Sequence, residues 1–289
     1  MISKGVILCG GTGSRLYPVT KSINKHLVPV YNKPMFYYPI SILMLAGIKD
    51  ILIVTGKNQK KYFEQSIGSY ENLGINISFK EQSLADGIPN ALRFAKDFVK
   101  KENFALILGD NFFYGSNLST IFQNFFKNKI NGGMIFLYPS KNPSNFGVVE
   151  LDKKGKVSKI LEKPSKTKSN LVITGLYLFN NKVFDYVKKL KKSKRNETEI
   201  VDIINIYKQN KKLKLFKLPR GSTWLDMGTF KDLIQSSLFV ENIEKRQNYQ
   251  IGCLEEIALN KKWISKVNIN KRIKEFKNSS YSNYLKNLI

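Results

Sequence analysis

Four short apolar runs, KGVILC, DILIVTG, INISFKE and FALILGD, alternate with helical patterns at about 36–46, 58–68, 88–100 and 117–128. Strands this apolar, joined by helical crossovers, predict an α/β fold with a mostly parallel sheet covered on both faces. Ligands in such sheets bind at the carboxyl ends of the strands, so the polar groups there carry the functional reading. The second half changes character. GGMIFLYPS, FGVVELD, KVSKILEKP and LVITGLYLFN read as strands, the second and third joined by the turn signal DKKGK. A helix follows in which Ile200, Ile203, Ile204 and Tyr207 share one face. KLKLFKLP and STWLDMG come next. From about 230 the pattern is helical to the end, with Phe230, Leu233, Ile234 and Leu238 spaced for packing. The expected organisation is one α/β domain over 1–239 and a helical C-terminal extension over 240–289.

Composition narrows the class. No apolar stretch approaches the ~18 residues of a membrane span. The N-terminus runs straight into the first strand without the long apolar region of a signal peptide. Cys9 and Cys253 form neither a metal-ligand spacing nor a disulfide framework. A cytoplasmic chain with no membrane partner is expected. The net charge of +26 invites a polyanion. Only six of the 48 basic residues are arginine, however, and Lys, Asn, Ile and Phe are abundant throughout, which is a compositional bias. The densest cluster, KKLKKSKR at 188–195, lies near a predicted helix C-terminus, where cations are favourable anyway. Nucleic acid is not an expected partner.

Directly after the first strand stands GGTGSR. It lacks the Gly-Lys-[Ser/Thr] ending of a P-loop and the third glycine of the dinucleotide fingerprint. Gly10, Gly11 and Gly13 allow backbone amides to wrap a triphosphate. Arg15 offers a fork of donors, and Lys25 adds a point charge. A tight strand-to-helix turn is the ordinary alternative. Two carboxylates, Asp110 in LILGDN and Asp226 in TWLDMGT, suffice for Mg²⁺ when substrate phosphates complete the shell. Turn chemistry would explain either one alone. In ILEKP, Glu162 can accept from sugar hydroxyls and Lys163 can hold a phosphate; a surface ion pair is the plain alternative.

The full string GGTGSRLYPVTKSINKHLVPVYNKPMFYYPI resembles the signature of the sugar nucleotidyltransferases, most closely the glucose-1-phosphate thymidylyltransferase group. The likeness runs from about 4 to 289. It implies a Rossmann-like, three-layer nucleotidyltransferase fold, and a reaction in which dTTP and glucose 1-phosphate give dTDP-glucose and pyrophosphate, the first step towards dTDP-deoxysugars such as dTDP-rhamnose. The catalytic set it implies is Arg15, Lys25, Asp110, Lys163 and Asp226, with Asp110 and Asp226 as Mg²⁺ ligands. The nucleotide falls to Leu8, Gly10, Gly11, Thr12, Gly13, Arg15, Lys25, His26, Gln82, Gly87 and Asp110. His26 is read there as a hydrogen-bonding residue near phosphate or base, since an anionic phosphate nucleophile needs no general base. The sugar phosphate falls to Asn111, Gly147, Glu162, Lys163, Thr174 and Tyr177.

Met227 beside Asp226 and Leu161 before Glu162 depart from the family pattern, and in the base segment Leu84, Ala85 and Pro89-Asn90 depart too, so UTP or CTP remains an alternative to dTTP, as does a non-catalytic sugar-nucleotide-binding protein. Long members of the group form homotetramers with a regulatory nucleotide site, which the resemblance maps onto Tyr114, Gly115, Arg220 and Glu256. Ser116 and Asn260 replace a histidine and an arginine often found there.

Overall fold

The computed structural model describes residues 2–193 and 195–289, so Lys194 of the basic cluster lies outside the described residues. The first apolar runs become β1 (Lys4–Cys9), β2 (Asp50–Gly56), β3 (Asn76–Gln82) and β4 (Phe104–Leu108). β5 (Asn111–Tyr114) follows at once, then β6 (Gly133–Pro139), β7 (Gly147–Leu151), β8 (Val157–Glu162) and β9 (Leu171–Phe179). The last strands are β10 (Leu213–Lys217) and β11 (Thr223–Asp226). The main sheet runs β8-β7-β9-β4-β1-β2-β3, with β6 and β10 joined beside β9. Pairing is parallel from β3 through β2 and β1 to β4, and antiparallel where β9 meets β4. The parallel strands bury both faces, which is why they read as continuous apolar runs. Side chains alternate between two cores, Ile7 and Ile53 on one side, Val6, Leu8 and Val54 on the other.

Helix α1 (Tyr37–Leu45) is buried along almost its whole length, and α2 (Lys60–Ile67) buries only Phe63 and Ile67. The helix expected over 88–100 is instead a chain of short turns, Ile88–Leu92, Arg93–Ala95 and Lys96–Val99. Leu92, Ala95 and Val99 are buried, and the three-residue step between the first two suits a tighter 3₁₀ turn. α3 (Leu118–Lys127) and α4 (Ile200–Gln209) form as expected.

Helix α5 (Phe230–Gln247) runs unbroken through 239 and 240. Its packing differs from expectation. Phe230, Ile234 and Leu238 are 40%, 60% and 51% exposed, and only Leu233 of the four named residues contributes to a core cluster. The helix turns its Ser236–Val240 face inward instead, because Lys33 and Asn32 of the Pro29–Pro34 hairpin capture Glu244 beneath it. α6 (Leu254–Asn260), α7 (Lys266–Phe276) and α8 (Ser280–Lys286) complete the chain. Leu254, Ile257 and Ala258 join the main core, and a fully buried Arg272–Glu255 pair ties α7 to α6.

Candidate active site

The glycine loop opens at the carboxyl end of β1. Gly10 is required by contact: a Cβ there would overlap the Gln82 carboxamide. Gly13 sits at φ +65°, the left-handed conformation that starts the Ser14–Leu16 turn and brings Arg15 over the loop. A second turn, Lys25–Leu27, is capped by the Asn24 side chain, which accepts from the His26 amide. The cap seats Lys25 and His26 against the end of β4, where Lys25 Nζ lies 2.5 Å from Asp110 Oδ2.

The two aspartates come from distant segments and meet through strand pairing. β5 and β11 are antiparallel with Asp226 opposite Asn111, and the Met227 amide donates to the Asp110 carbonyl at 3.0 Å. Burial pushes Asp110 upward, but Lys25 and then His26 override it and hold the carboxyl well below the usual range. Asp226 goes the other way. Burial and the Asp110 charge raise it to about 7, against partial relief from Lys25 and Arg15. The two carboxylates thus sit close enough for the charge of one to oppose ionisation of the other.

Asn111 is spent inside the protein. Its Oδ1 accepts from the Gly175 amide at 2.8 Å and from Trp224 Nε1 at 2.6 Å, and its Nδ2 donates to Asp110 Oδ1 at 3.0 Å. Thr174 is similar, its hydroxyl donating to the Phe136 carbonyl. Tyr177 is buried and stacked on Phe179 with ring centroids 5.7 Å apart. Gly147 stands directly across the β7–β8 pair from Glu162. Lys163 is exposed and holds a left-handed φ of +40°, an unusual conformation for a lysine and a form of strain found at functional positions.

A cavity of about 330 Å³ unites the loop with the strand ends. Leu8, Gly10, Gly11, Thr12, Gly13, Arg15, Lys25, His26, Gln82, Gly87 and Asp110 all line it. Asp226 lies just behind, its Oδ2 and the Arg15 guanidinium flanking Gly228 of the wall. Glu162, Lys163, Thr174 and Tyr177 belong to the neighbouring antiparallel part of the sheet. Sequence reasoning missed Glu197, Ile88, Ala91 and Leu108, which also line the cavity. It missed Arg195 too, whose Nη2 bridges Glu162 Oε1 at 3.1 Å and Glu199 Oε2 at 2.7 Å. Glu197 and Arg195 sit on a strap docked through the Thr198 amide onto the Asp86 carbonyl at 3.0 Å. Gly87, at φ +116°, makes that docking possible, since a Cβ would strike the Thr198 backbone. No spacing in the sequence signals a contact between segments more than a hundred residues apart.

A second cavity of about 560 Å³ is lined by Tyr114, Gly115, Ser116, Glu256 and Asn260, among others. Arg220 does not line it. Among the described residues the one cation that does, Lys261, donates to the Leu45 carbonyl at 2.7 Å.

Comparison with known proteins identifies the family. The Nucleotidyl transferase family model matches residues 4–243. A glucose-1-phosphate thymidylyltransferase of Neisseria gonorrhoeae is 41% identical over 286 residues, covering 99% of each chain. One from Mycobacterium tuberculosis (strain H37Rv) gives the same identity and coverage. A solved Bacillus anthracis structure assigned to that activity, in complex with a sucrose, is 38% identical at a TM-score of 0.74, covering 82% of this chain and 94% of that one. The chain therefore belongs to the nucleotidyl transferase family, within its glucose-1-phosphate thymidylyltransferase group.

Proposed function

We propose that the protein joins dTTP and glucose 1-phosphate into dTDP-glucose and pyrophosphate with Mg²⁺, supplying dTDP-deoxysugar synthesis such as that of dTDP-rhamnose. One observation carries the base preference. Gln82 Nε2 is spent on the Gly10 carbonyl at 3.0 Å, while its Oε1 is buried in the cavity wall without a partner. A bare acceptor suits the N3–H of thymine and uracil, whereas cytosine N3 and adenine N1 are themselves acceptors. The relatives at 41% identity are thymidylyltransferases by name, which favours thymine.

The nucleophile is a phosphate oxygen that is already an anion. It forms a bond to the α-phosphorus in line as the bond to pyrophosphate breaks, so positioning and charge stabilisation are the work left to the protein. Arg15, Lys25 and the amides of Gly10, Gly11 and Gly13 are assigned to the triphosphate and the leaving pyrophosphate. Lys163 and Glu162 are assigned to the phosphate and hydroxyls of glucose 1-phosphate, with Gly147, Thr174 and Tyr177 as the wall behind them. Asp110 and Asp226 fit a divalent cation. Mg²⁺ is commonly held by one or two carboxylates with substrate phosphates and water completing its shell, which two aspartates suit. Bound there, Mg²⁺ supplies neutralisation of phosphate charge.

The test is pyrophosphate release with glucose 1-phosphate, Mg²⁺ and each of four nucleotides. dTTP should exceed UTP by about tenfold or more, the worth of one methyl in a fitted pocket, and CTP and ATP should stay below roughly 1% of the dTTP rate. A CTP rate equal to that of dTTP would overturn the Gln82 assignment.

The second cavity is the proposed place for regulation, but it offers no free cation among the described residues to a diphosphate. We therefore expect 100 µM dTDP-rhamnose, about a typical effector level, to change initial rates by less than about twofold. Strong inhibition at that level would show that Arg220 or a neighbouring subunit supplies the missing charge. A cytoplasmic homotetramer is the proposed assembly, supported by the uncovered Phe230, Ile234 and Leu238 stripe on α5. No described helix is long and apolar enough to cross a membrane.

A further inference from the structure

We infer that Asn131 is a site of spontaneous covalent modification: its carboxamide closes onto the Gly132 amide, releases ammonia and leaves aspartate or isoaspartate at the entrance to β6. This chemistry is independent of the active site.

Asn131-Gly132 is the only Asn-Gly pair in the chain. Ring closure brings the Gly132 nitrogen onto Cγ of Asn131, and a Cβ on the following residue would crowd that approach; glycine has none. The fold accepts nothing but glycine there. Gly132 holds φ +146°, and a Cβ would lie 2.0 Å from the Lys212 carbonyl oxygen. The entry to β6 therefore demands the very residue that leaves Asn131 open to attack.

The chain is anchored on both sides of the pair and free between. Asn103 Nδ2 donates to the Ile130 carbonyl at 2.7 Å, and the Asn180 amide donates to the Gly132 carbonyl at 3.0 Å. The Gly133 amide donates to the Lys212 carbonyl, also at 3.0 Å. Between these anchors the backbone bends at 131 and 132, and the Gly132 amide has no hydrogen-bond partner among the described residues. Asn131 is exposed, and its Nδ2, the departing group, is equally unengaged among the described residues. Its oxygen is not: Lys212 Nζ lies 3.5 Å from Oδ1. An ammonium there polarises the carbonyl and favours the negative oxygen that forms on attack. The net charge of +26 acts in the same direction, since a positive potential eases loss of the amide proton. Asn128, exposed in the same connection, lacks these features. Lys129 follows it, and its Nδ2 donates to the Asn124 carbonyl at 2.8 Å.

The bond from Gly132 N to Asn131 Cγ forms as the Cγ–Nδ2 bond breaks. The amide proton leaves with Nδ2 as ammonia, and a five-membered succinimide remains. Water then adds to one of its two carbonyls, with no change of oxidation state. Opening at Cγ restores the normal main chain and leaves an aspartate beside Lys212. Opening at the Asn131 backbone carbonyl routes the main chain through the side chain as isoaspartate. That adds one carbon between the anchors and should loosen the start of β6.

The full chain, held at pH 8 and 37 °C, can be followed by peptide mass spectrometry. Amide loss at Asn131 should run at least about tenfold faster than at Asn128, a barrier difference of ~1.4 kcal/mol. An isoaspartyl methyltransferase should label only the peptide that spans Asn131. Asn131→Gln should abolish the labelling and leave dTTP turnover unchanged. Lys212→Met should slow the loss roughly two- to fivefold, the worth of one exposed charge contact. Equal rates at the two asparagines, or no isoaspartate at Asn131, would overturn the inference. An unchanged rate in Lys212→Met would remove Lys212 from it. The comparison of two asparagines within one unaltered chain does not depend on any variant folding.

Discussion

Replacing Lys25 with methionine should lower kcat/KM for dTTP by about 10²–10³-fold, the usual loss when one preorganised cation is removed from a phosphoryl-transfer site. The expectation comes from what Lys25 does in the folded chain. Its side chain is only 7% exposed, and its ammonium lies 2.5 Å from Asp110 Oδ2. Burial alone would push Asp110 up; the Lys25 charge is the largest of the influences that bring it down. Methionine keeps the length of the side chain and removes the charge, so Asp110 should rise and compete with Asp226 for a proton. Two effects follow. The triphosphate loses a cation, and the pair of carboxylates loses the charge that lets both ionise. Metal dependence separates the two: raising Mg²⁺ should recover part of the second loss and none of the first. A Lys25→Met enzyme with unchanged kcat/KM would remove Lys25 from the site.

Asp226→Asn should abolish turnover and, in the metal-free protein, raise stability. The carboxyl of Asp226 is raised to about 7 by burial and by the charge of Asp110, so the folded chain holds its proton more tightly than the unfolded chain does. Between about pH 4 and pH 7 the native state therefore binds more protons at this position, and stability falls as pH rises through that window. Above pH 7 the penalty is complete, and below about pH 4 it vanishes because both states are protonated. Asparagine mimics the protonated form at every pH. In EDTA at pH 7.5 the variant should gain on the order of 1 kcal/mol, a few degrees in Tm, and the gain should shrink towards zero near pH 4. Excess Mg²⁺ should reverse the order, because only the parent retains both carboxylates. A variant less stable than the parent in EDTA at pH 7.5 would show that the two carboxylates are not in conflict.

Much of this site was legible before the fold was known, because its parts are local. GGTGSR, the Lys25-His26 pair, LILGDN and TWLDMG each carry their chemistry within a few consecutive residues, and the apolar runs between them place each at a strand end. Periodicity also separated the helices from the strands through the first half of the chain, since a strand buried on both faces leaves a distinct record. Periodicity failed on α5. An apolar stripe shows that a helix has a face to cover, but not whether its own chain covers it. There the Glu244 ion pair with Lys33 turned the other face inward.

What only tertiary structure decided is which of these local parts meet, and in which protonation state. The pairing of β5 with β11 sets Asp110 beside Asp226 across more than a hundred residues, and there burial and the Asp110 charge raise Asp226 while Lys25 brings Asp110 down. The strap that brings Glu197 into the cavity and Arg195 onto Glu162 is docked by a backbone bond to Asp86, and a backbone bond has no signature in side-chain spacing. Residue types were written in the chain. Their charges and hydrogens depend on what the fold removes from water and sets beside them.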